Sequence, residues 1–259
     1  MLYKKILEKL GIEMLSLLEE LGHVTGLFFQ TISNILKGKI KPRLILVQMV
    51  KIGIDSIPIA ITSAFFIGMV FAVQIGTEFL KFGAAKFIGG VMGIAIAREL
   101  APALTGIVVA SRIAAAMTAE IGTMKVTEQI DALQAMGSNP VRYLVGPRFI
   151  ACTCMLPLLT VLADLFCFLG GYLVVVYLIK VNSMDYLNSA QQLLTTMDIY
   201  GGILKSLIFG MLISIVACYK GLKTQGGAKG VGEATTSSVV TALLVLFIFN
   251  YFLSVLLFK

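Results

Sequence analysis

Arg98 and Glu99 stand side by side directly after Ile88–Ala97, a stretch made only of Gly, Ala, Ile, Val and Met. An ionisable side chain inside such an apolar segment costs several kcal/mol unless it is paired or wetted. Neighbouring helix positions project about 100° apart, so the two side chains need not pair with each other. Two readings stand. They line a water-filled or headgroup-lined cavity between helices, or they form structural ion pairs with another helix, for which Asp164 is a candidate. A second pattern lies further on. Val126, Ile130, Leu133 and Gly137 form one apolar stripe at helical spacing, while Lys125, Glu128 and Asp131 recur every third residue on another face. This predicts a short amphipathic helix over 124–137, stopped by Gly137, Asn139 and Pro140. Such a helix is either a solvated surface element or a lever against which a motor domain pushes.

Other chemistry is thinly represented. The single histidine, His23, has no nucleophile or metal-ligand cluster around it in the sequence. Cys152, Cys154, Cys167 and Cys218 all lie in apolar segments, and Cys152 and Cys154 point about 200° apart on a helix. Zinc-type spacing is absent, so the cysteines read as small buried hydrophobes. The Gly-rich run GLKTQGGAKGVGEATTSSV lacks G-x-x-x-x-G-K-[ST]; Lys229 is followed by Gly230 rather than a hydroxyl residue. No metal or cofactor is therefore expected on this chain, and ATP with its magnesium is expected on another polypeptide.

These residues must be held in lipid. Of 259 residues, 58% are hydrophobic and only 14% charged, and the mean hydropathy is +0.94. A soluble domain carries about 25% charge. Spanning helices need about 20 apolar residues, which predicts an all-α, polytopic membrane protein with five spans at about 54–80, 88–118, 148–179, 199–219 and 238–257. Residues 41–259 form one permease-like membrane domain on this reading. Residues 1–40 form an interfacial amphipathic segment, with Leu7, Leu10, Met14, Leu17, Leu18 and Leu21 on one face and Lys4, Lys5, Glu8, Glu13, Glu19 and Glu20 on others. Residues 119–147 read as a loop with the one short helix, 180–198 as a polar stretch, and 220–236 as a Gly-rich loop. Pro157 predicts a tilt or kink in the third span. The stretch GIVVASRIAAAMTAEIG in span two predicts close helix contact, within the chain or with a second copy, and Arg112 reads as structural.

Basic residues set the orientation. With the N-terminus in the cytoplasm, Lys4, Lys5, Lys9, Lys37, Lys39, Lys41, Arg43, Lys51, Lys125, Arg142, Arg148, Lys220, Lys223 and Lys229 fall inside. Only Lys81, Lys86, Lys180, Lys205 and Lys259 fall outside. The C-terminus is then expected on the far side, and the basic cluster before span one would meet an anionic leaflet. The net charge of +7 is thus read as membrane orientation, not nucleic-acid binding. The start MLYKKILEKLGIEMLSLLEELG scatters acids and bases through its apolar positions and does not read as a signal peptide.

The block from Glu120 to Leu133 (EIGTMKVTEQIDAL), with Met136-Gly137, Asn139-Pro140 and Pro147-Arg148, resembles the signature of MlaE-type permeases. These belong to ABC transporters of lipid-asymmetry and chloroplast lipid-import systems. Phe66–Gln74 (FIGMVFAVQ), Arg98-Glu99-Leu100-Ala-Pro102, Ala163-Asp164, Gly170-Gly171 and Gly232–Thr236 (GEATT) extend the resemblance over nearly the whole chain.

The resemblance implies a homodimer moving phospholipid between membranes in support of outer-membrane lipid asymmetry. It also implies two cytoplasmic ATPase subunits, an MCE-domain lipid-binding protein on the far side, and residence in the cell inner membrane. Carried over residue by residue, the 124–137 helix would be the coupling helix, with Lys125, Glu128 and Asp131 at the ATPase. Gln74, Arg98 and Glu99 would line the lipid cavity at the dimer interface. The resemblance also implies Phe71 and Glu78 as further cavity-facing positions of span one. A bacterial source is expected over an organelle, since no transit peptide is read. The competing readings are an ion-coupled secondary transporter of a lipid or amphiphile, with Arg98, Glu99 and Asp164 as a relay, and a lipid-modifying membrane enzyme.

Overall fold

The computed structural model describes residues 2–37 and 40–259; the side chains of 2–10, 12, 13, 16 and 17 lie outside the described set. The expected roles of Leu7, Leu10 and Leu17, and of Lys4, Lys5, Lys9, Glu8, Glu13 and Lys39, therefore fall outside it as well. The described chain is helical and without strands. Five of its helices are long and apolar enough to cross a membrane: α2 (Pro42–Lys81), α3 (Ala85–Val126), α5 (Val141–Leu178), α7 (Thr196–Leu222) and α8 (Gly227–Phe258). Three others do not qualify: α1 (Leu2–Leu36), α4 (Gln129–Ala135) and α6 (Ser183–Leu193). The chain is a multi-pass membrane protein. Since five spans alternate in direction, α1, α4 and the α7–α8 turn share one side, and α6 shares the other with the C-terminal end of α8.

The spans pack through small residues. α2 lies along α5, which also contacts α7, and α8 lies against α7 and the second half of α3. A Cβ added at Gly68 would collide with the Cys167 carbonyl, and one at Gly170 with the Phe65 carbonyl. The α2–α5 contact is thus backbone against backbone, the geometry that lipid, which gives no hydrophobic drive between helices, selects. The small residues of span two serve the same end inside one chain: Gly106, Ala110, Ala114 and Thr118 are buried where α3 meets α7 and α8. α8 keeps most of its surface outward, with Val240, Leu244, Phe247, Ile248 and Phe252 exposed.

Several boundaries differ from the sequence reading. The first spanning helix begins at Pro42 rather than near 54, with one 3-10 turn at Ile54–Ser56. The polar stretch 180–198 contains α6, which Asn182 caps by accepting from the Met184 amide. It also contains the first turn of α7, held by a capping box between Thr195 and Asp198. The Gly-rich loop over 220–236 shrinks to 223–226, because Gly226 and Gly227 take the left-handed turn (φ 85° and 66°) from which α8 starts. The single helix expected over 124–137 is two pieces. α3 runs through Lys125 to Val126, Glu128 turns the chain in the left-handed region (φ 61°), and α4 begins at Gln129. α5 continues through Pro157.

α3 and α5 also contain wide π turns, at Ile96–Leu100 and Ala110–Ala114 in α3 and at Val141–Val145 and Val174–Leu178 in α5. Such turns insert a residue into the helix and concentrate at functional sites.

α1 docks on the body through Val24, Leu27, Phe28 and Ile35, packed against a core of Ile121, Ile130, Leu144, Val145, Phe149 and Cys218. Its Met14, Leu18 and Leu21 face outward. Glu20 faces Lys220 and Lys223 at the end of α7, at 3.5 and 3.2 Å.

Candidate functional site

Arg98 and Glu99 sit inside the first π turn of α3, and each has a partner on α7. Arg98 Nε donates to Asp198 Oδ1 at 2.6 Å, and Lys205 Nζ donates to Glu99 Oε1 at 2.7 Å. Asp198 and Lys205 are seven residues apart, two turns on one helix face, so one face of α7 answers both charges. Asp164 is not the partner: its Oδ1 is buried without a hydrogen-bond partner among the described residues.

Asp198 has a second task. Its Oδ2 accepts from the amide and the hydroxyl of Thr195, both at 2.8 Å, closing the cap of α7. Lys205 likewise spans three helices, donating to the Arg98 carbonyl at 2.9 Å and to Ser254 Oγ on α8 at 2.7 Å. The carbonyl is available because Pro102, four residues on, has no amide hydrogen to give it. Glu99 is held further by Ser254 Oγ (2.6 Å) and by Asn250 Nδ2 on its other oxygen (3.1 Å). A hydrogen-bonded pair of opposite charges is the arrangement that low-dielectric surroundings tolerate.

The two pairs are graded in depth. Side-chain exposure is 0% for Lys205 and 1% for Asp198, but 35% for Arg98 and 42% for Glu99. The counter-ions are sealed behind, and the α3 charges front a cleft of about 400 Å³. Its walls are Val91, Ile94, Ala95, Ser254 and Phe258, with Arg98 and Glu99 at the polar end. The Arg98 guanidinium lies 4.8 Å from the Phe258 ring centroid, a cation–π contact. Arg98 and Glu99 thus have ion-pair partners on α7 behind them, other than the Asp164 expected, and a largely apolar cleft in front.

The span-one residues stand apart. Gln74 and Glu78 are on an exposed face of α2, and Phe71 is half-buried against the core of Ala72, Ala163 and Cys167. None of the three lines the cleft within one chain. Glu78 pairs with Lys81 at 2.8 Å.

On the opposite side, the residues expected at a coupling surface divide by role. Lys125 and Asp131 are paired at 2.9 Å across the turn, whereas Glu128 is the exposed turn residue itself. Ile130 and Leu133 pack into the core beneath α4. A cavity of about 600 Å³ beside α4 is lined by Gln30, Lys125, Gln134, Asn139 and Leu222, among others. Behind it Glu120 joins Lys51 (2.6 Å) and Arg148 (2.8 Å), tying α2, α3 and α5 together. Arg112 donates to Ser56 Oγ at 2.7 Å, in the structural role expected for it.

Asp198, Lys205, Asn250 and Ser254 were not among the expected site residues. The readable signal was the Asp198–Lys205 spacing in an apolar span. Lys205 belongs to the buried helix wall and does not count among the outside bases.

A polytopic helical membrane protein with a charged-ended apolar cleft on one side and a short, core-anchored helix on the other has the build of a transporter's membrane component. The family described as Permease MlaE matches residues 45–256. A probable ABC transporter permease protein of Synechocystis sp. is 48% identical over 230 residues, covering 89% of this chain and 88% of that protein. Another probable ABC transporter permease protein, of Rickettsia prowazekii, is 40% identical over 255 residues, 98% of both chains. The chloroplastic protein TRIGALACTOSYLDIACYLGLYCEROL 1 of Arabidopsis thaliana is 42% identical over 231 residues, 87% of this chain and 64% of its own length. The chain belongs to the MlaE family of ABC transporter permeases.

Proposed function

We propose that this permease moves phospholipid between membranes, with ATP hydrolysis supplied by separate ATPase subunits. The observation that carries this reading is the cleft at Arg98 and Glu99. It sets a charged end against an apolar wall, the polarity of a lipid entering head first, while buried Asp198 and Lys205 hold the charges in place. Two copies enclose the transport cavity, and in the second copy's presence Gln74, Phe71 and Glu78 join its lining. The large outward apolar surface of α8 is available for that contact. The α4 side, with Lys125, Glu128 and Asp131, faces two ATPases in the cytoplasm of a cell whose inner membrane holds the protein. The N-terminus lies on that same side and the C-terminus on the other, where an MCE-domain lipid-binding protein receives or delivers lipid. Its service is outer-membrane lipid asymmetry. This chain contributes no catalytic group; closure of the ATPases reshapes the cavity through α4.

The test is purification in mild detergent, with mass spectrometry of co-purifying proteins and lipids. An ATPase, an MCE protein and phospholipid are expected with the wild type, and Arg98→Ala or Glu99→Ala lowers the phospholipid. Lipid content unchanged in both variants would remove the cleft from the reading. ATP-independent lipid transfer by the chain alone would remove the ABC mechanism.

A further inference from the structure

The cleft's charge balance bears on which headgroup it accepts, an inference that rests on the lipid reading above. Four charged side chains meet there, Arg98 with Asp198 and Glu99 with Lys205, and their formal sum is zero. Asp198 and Lys205 are sealed from the surface, so the cleft itself presents one cation and one anion, adjacent in sequence. The cation has donors in hand. Arg98 uses Nε on Asp198, while Nη1 and Nη2 make no hydrogen bond among the described residues. A guanidinium fork of this kind matches the oxygens of a phosphate. The anion is more fully engaged, its carboxylate accepting from Lys205, Ser254 and Asn250. It can still attract an ammonium group, since a carboxylate offers about four lone-pair sites.

We infer that the cleft selects a zwitterionic phospholipid headgroup, phosphate on the Arg98 fork and ammonium toward Glu99, over net-anionic and uncharged sugar headgroups. A zwitterion adds no net charge to a balanced cluster bordered by hydrocarbon. An anionic head brings one uncompensated charge into those surroundings, where charge is costly. A sugar head brings no charge, leaving the fork with neutral acceptors, which make the weaker kind of hydrogen bond.

The experiment equilibrates the purified full chain, with its co-purifying partners, against mixed vesicles. These contain equal phosphatidylethanolamine, phosphatidylglycerol and monogalactosyl diacylglycerol of identical acyl chains, and retained lipid is counted by mass spectrometry. Phosphatidylethanolamine is expected to be enriched about tenfold over each of the others, equivalent to about 1.4 kcal/mol. Glu99→Gln and Asp198→Asn each leave the cluster with one surplus positive charge, and both shift retention toward phosphatidylglycerol. The double variant Glu99→Gln/Lys205→Met restores neutrality and with it the bias against the anionic lipid. If Asp198→Asn fails to fold, Glu99→Gln and the double variant carry the comparison. Wild-type retention that mirrors the vesicle composition, or an unshifted Glu99→Gln, overturns the headgroup inference while leaving a lipid site. No retained lipid from any mixture overturns the lipid reading itself, and this inference with it.

Discussion

The fully buried ammonium of Lys205 lies 2.7 Å from Glu99 Oε1 and also bonds the carbonyl of the residue before it. One side chain on α7 thereby secures both the charge and the backbone of the π turn in α3. Removing one member of a buried pair leaves the other uncompensated, at about 3–5 kcal/mol in soluble proteins. Hydrogen bonds between helices inside membranes are worth about 1–2 kcal/mol in model peptides. Lys205→Met is therefore expected to cost about 1–3 kcal/mol in a detergent unfolding titration. Glu99→Gln/Lys205→Met should cost less than the sum of its singles. Strict additivity would mean that the pair contributes no coupling.

Two glycines make a contrasting pair. At Gly68 an added methyl meets the backbone of Cys167, which cannot rotate away, whereas at Gly232 nothing lies within 4 Å. Gly68→Ala should destabilise by about 1–3 kcal/mol through forced separation of α2 and α5. Gly232→Ala, inside α8, should be neutral or gain up to about 1 kcal/mol from helix propensity. Thermal melts in one detergent decide the matter, and equal shifts would refute the backbone-contact account of α2 and α5.

At the α3–α4 turn, Glu128 holds a left-handed backbone that glycine adopts freely. Glu128→Gly removes the carboxylate without straining the turn and should leave the melting temperature unchanged or slightly raised. Should that carboxylate contact the ATPase, Glu128→Gly and Glu128→Lys both lose co-purifying ATPase. Wild-type ATPase recovery with Glu128→Gly would assign the residue to turn geometry alone. Asp131→Lys, which also breaks the pair with Lys125, should lower both recovery and stability.

The docking of α1 should respond to acid. Burial pushes the Glu20 carboxyl up, but hydrogen bonds from Lys223 and Lys220 and their charges outweigh it, leaving it below the usual value of 4.5. A carboxylate depressed by folding contributes its stability above the unfolded value and loses it as pH falls through the folded one. Hydrogen exchange in α1 is thus expected to accelerate as pH drops below 4.5, after correction for intrinsic rates. Glu20→Gln should abolish the dependence and exchange rapidly throughout. At the alkaline end Lys223 is raised, chiefly by its hydrogen bond to Tyr219 and then by Glu20. Its contribution persists below the ordinary lysine value and is lost as pH climbs past it.

The spans were legible because hydrocarbon imposes both a length and an apolar composition on them. α6 and the first turn of α7 were not, because Asn182, Thr195 and Asp198 form them through side-chain-to-backbone hydrogen bonds that leave no hydrophobic periodicity. The early start of α8 was hidden behind glycines, whose low helix propensity is overridden once Gly226 and Gly227 have set the turn. The break at Glu128 was masked by a run of charges and apolar residues that fits an unbroken helix equally well. In the cleft, Arg98 and Glu99 announced themselves as charges in an apolar run. Their partners on α7 lie 100 and 106 residues away in sequence, and no local pattern links positions so distant.

The two wide turns of α3 have a consequence for how the gene can vary. Each holds one residue more than a regular turn requires. Deleting a residue from Ile96–Leu100 would let that turn close as a regular α turn, sparing the residues beyond it the rotation of about 100° that one deletion brings in an unbroken helix. Gly89 would stay seated against Tyr186, and Glu120 would keep Lys51 and Arg148. The two ends of α3 are thus written in different phases, and the extra residues are the splices that let one helix read correctly at both.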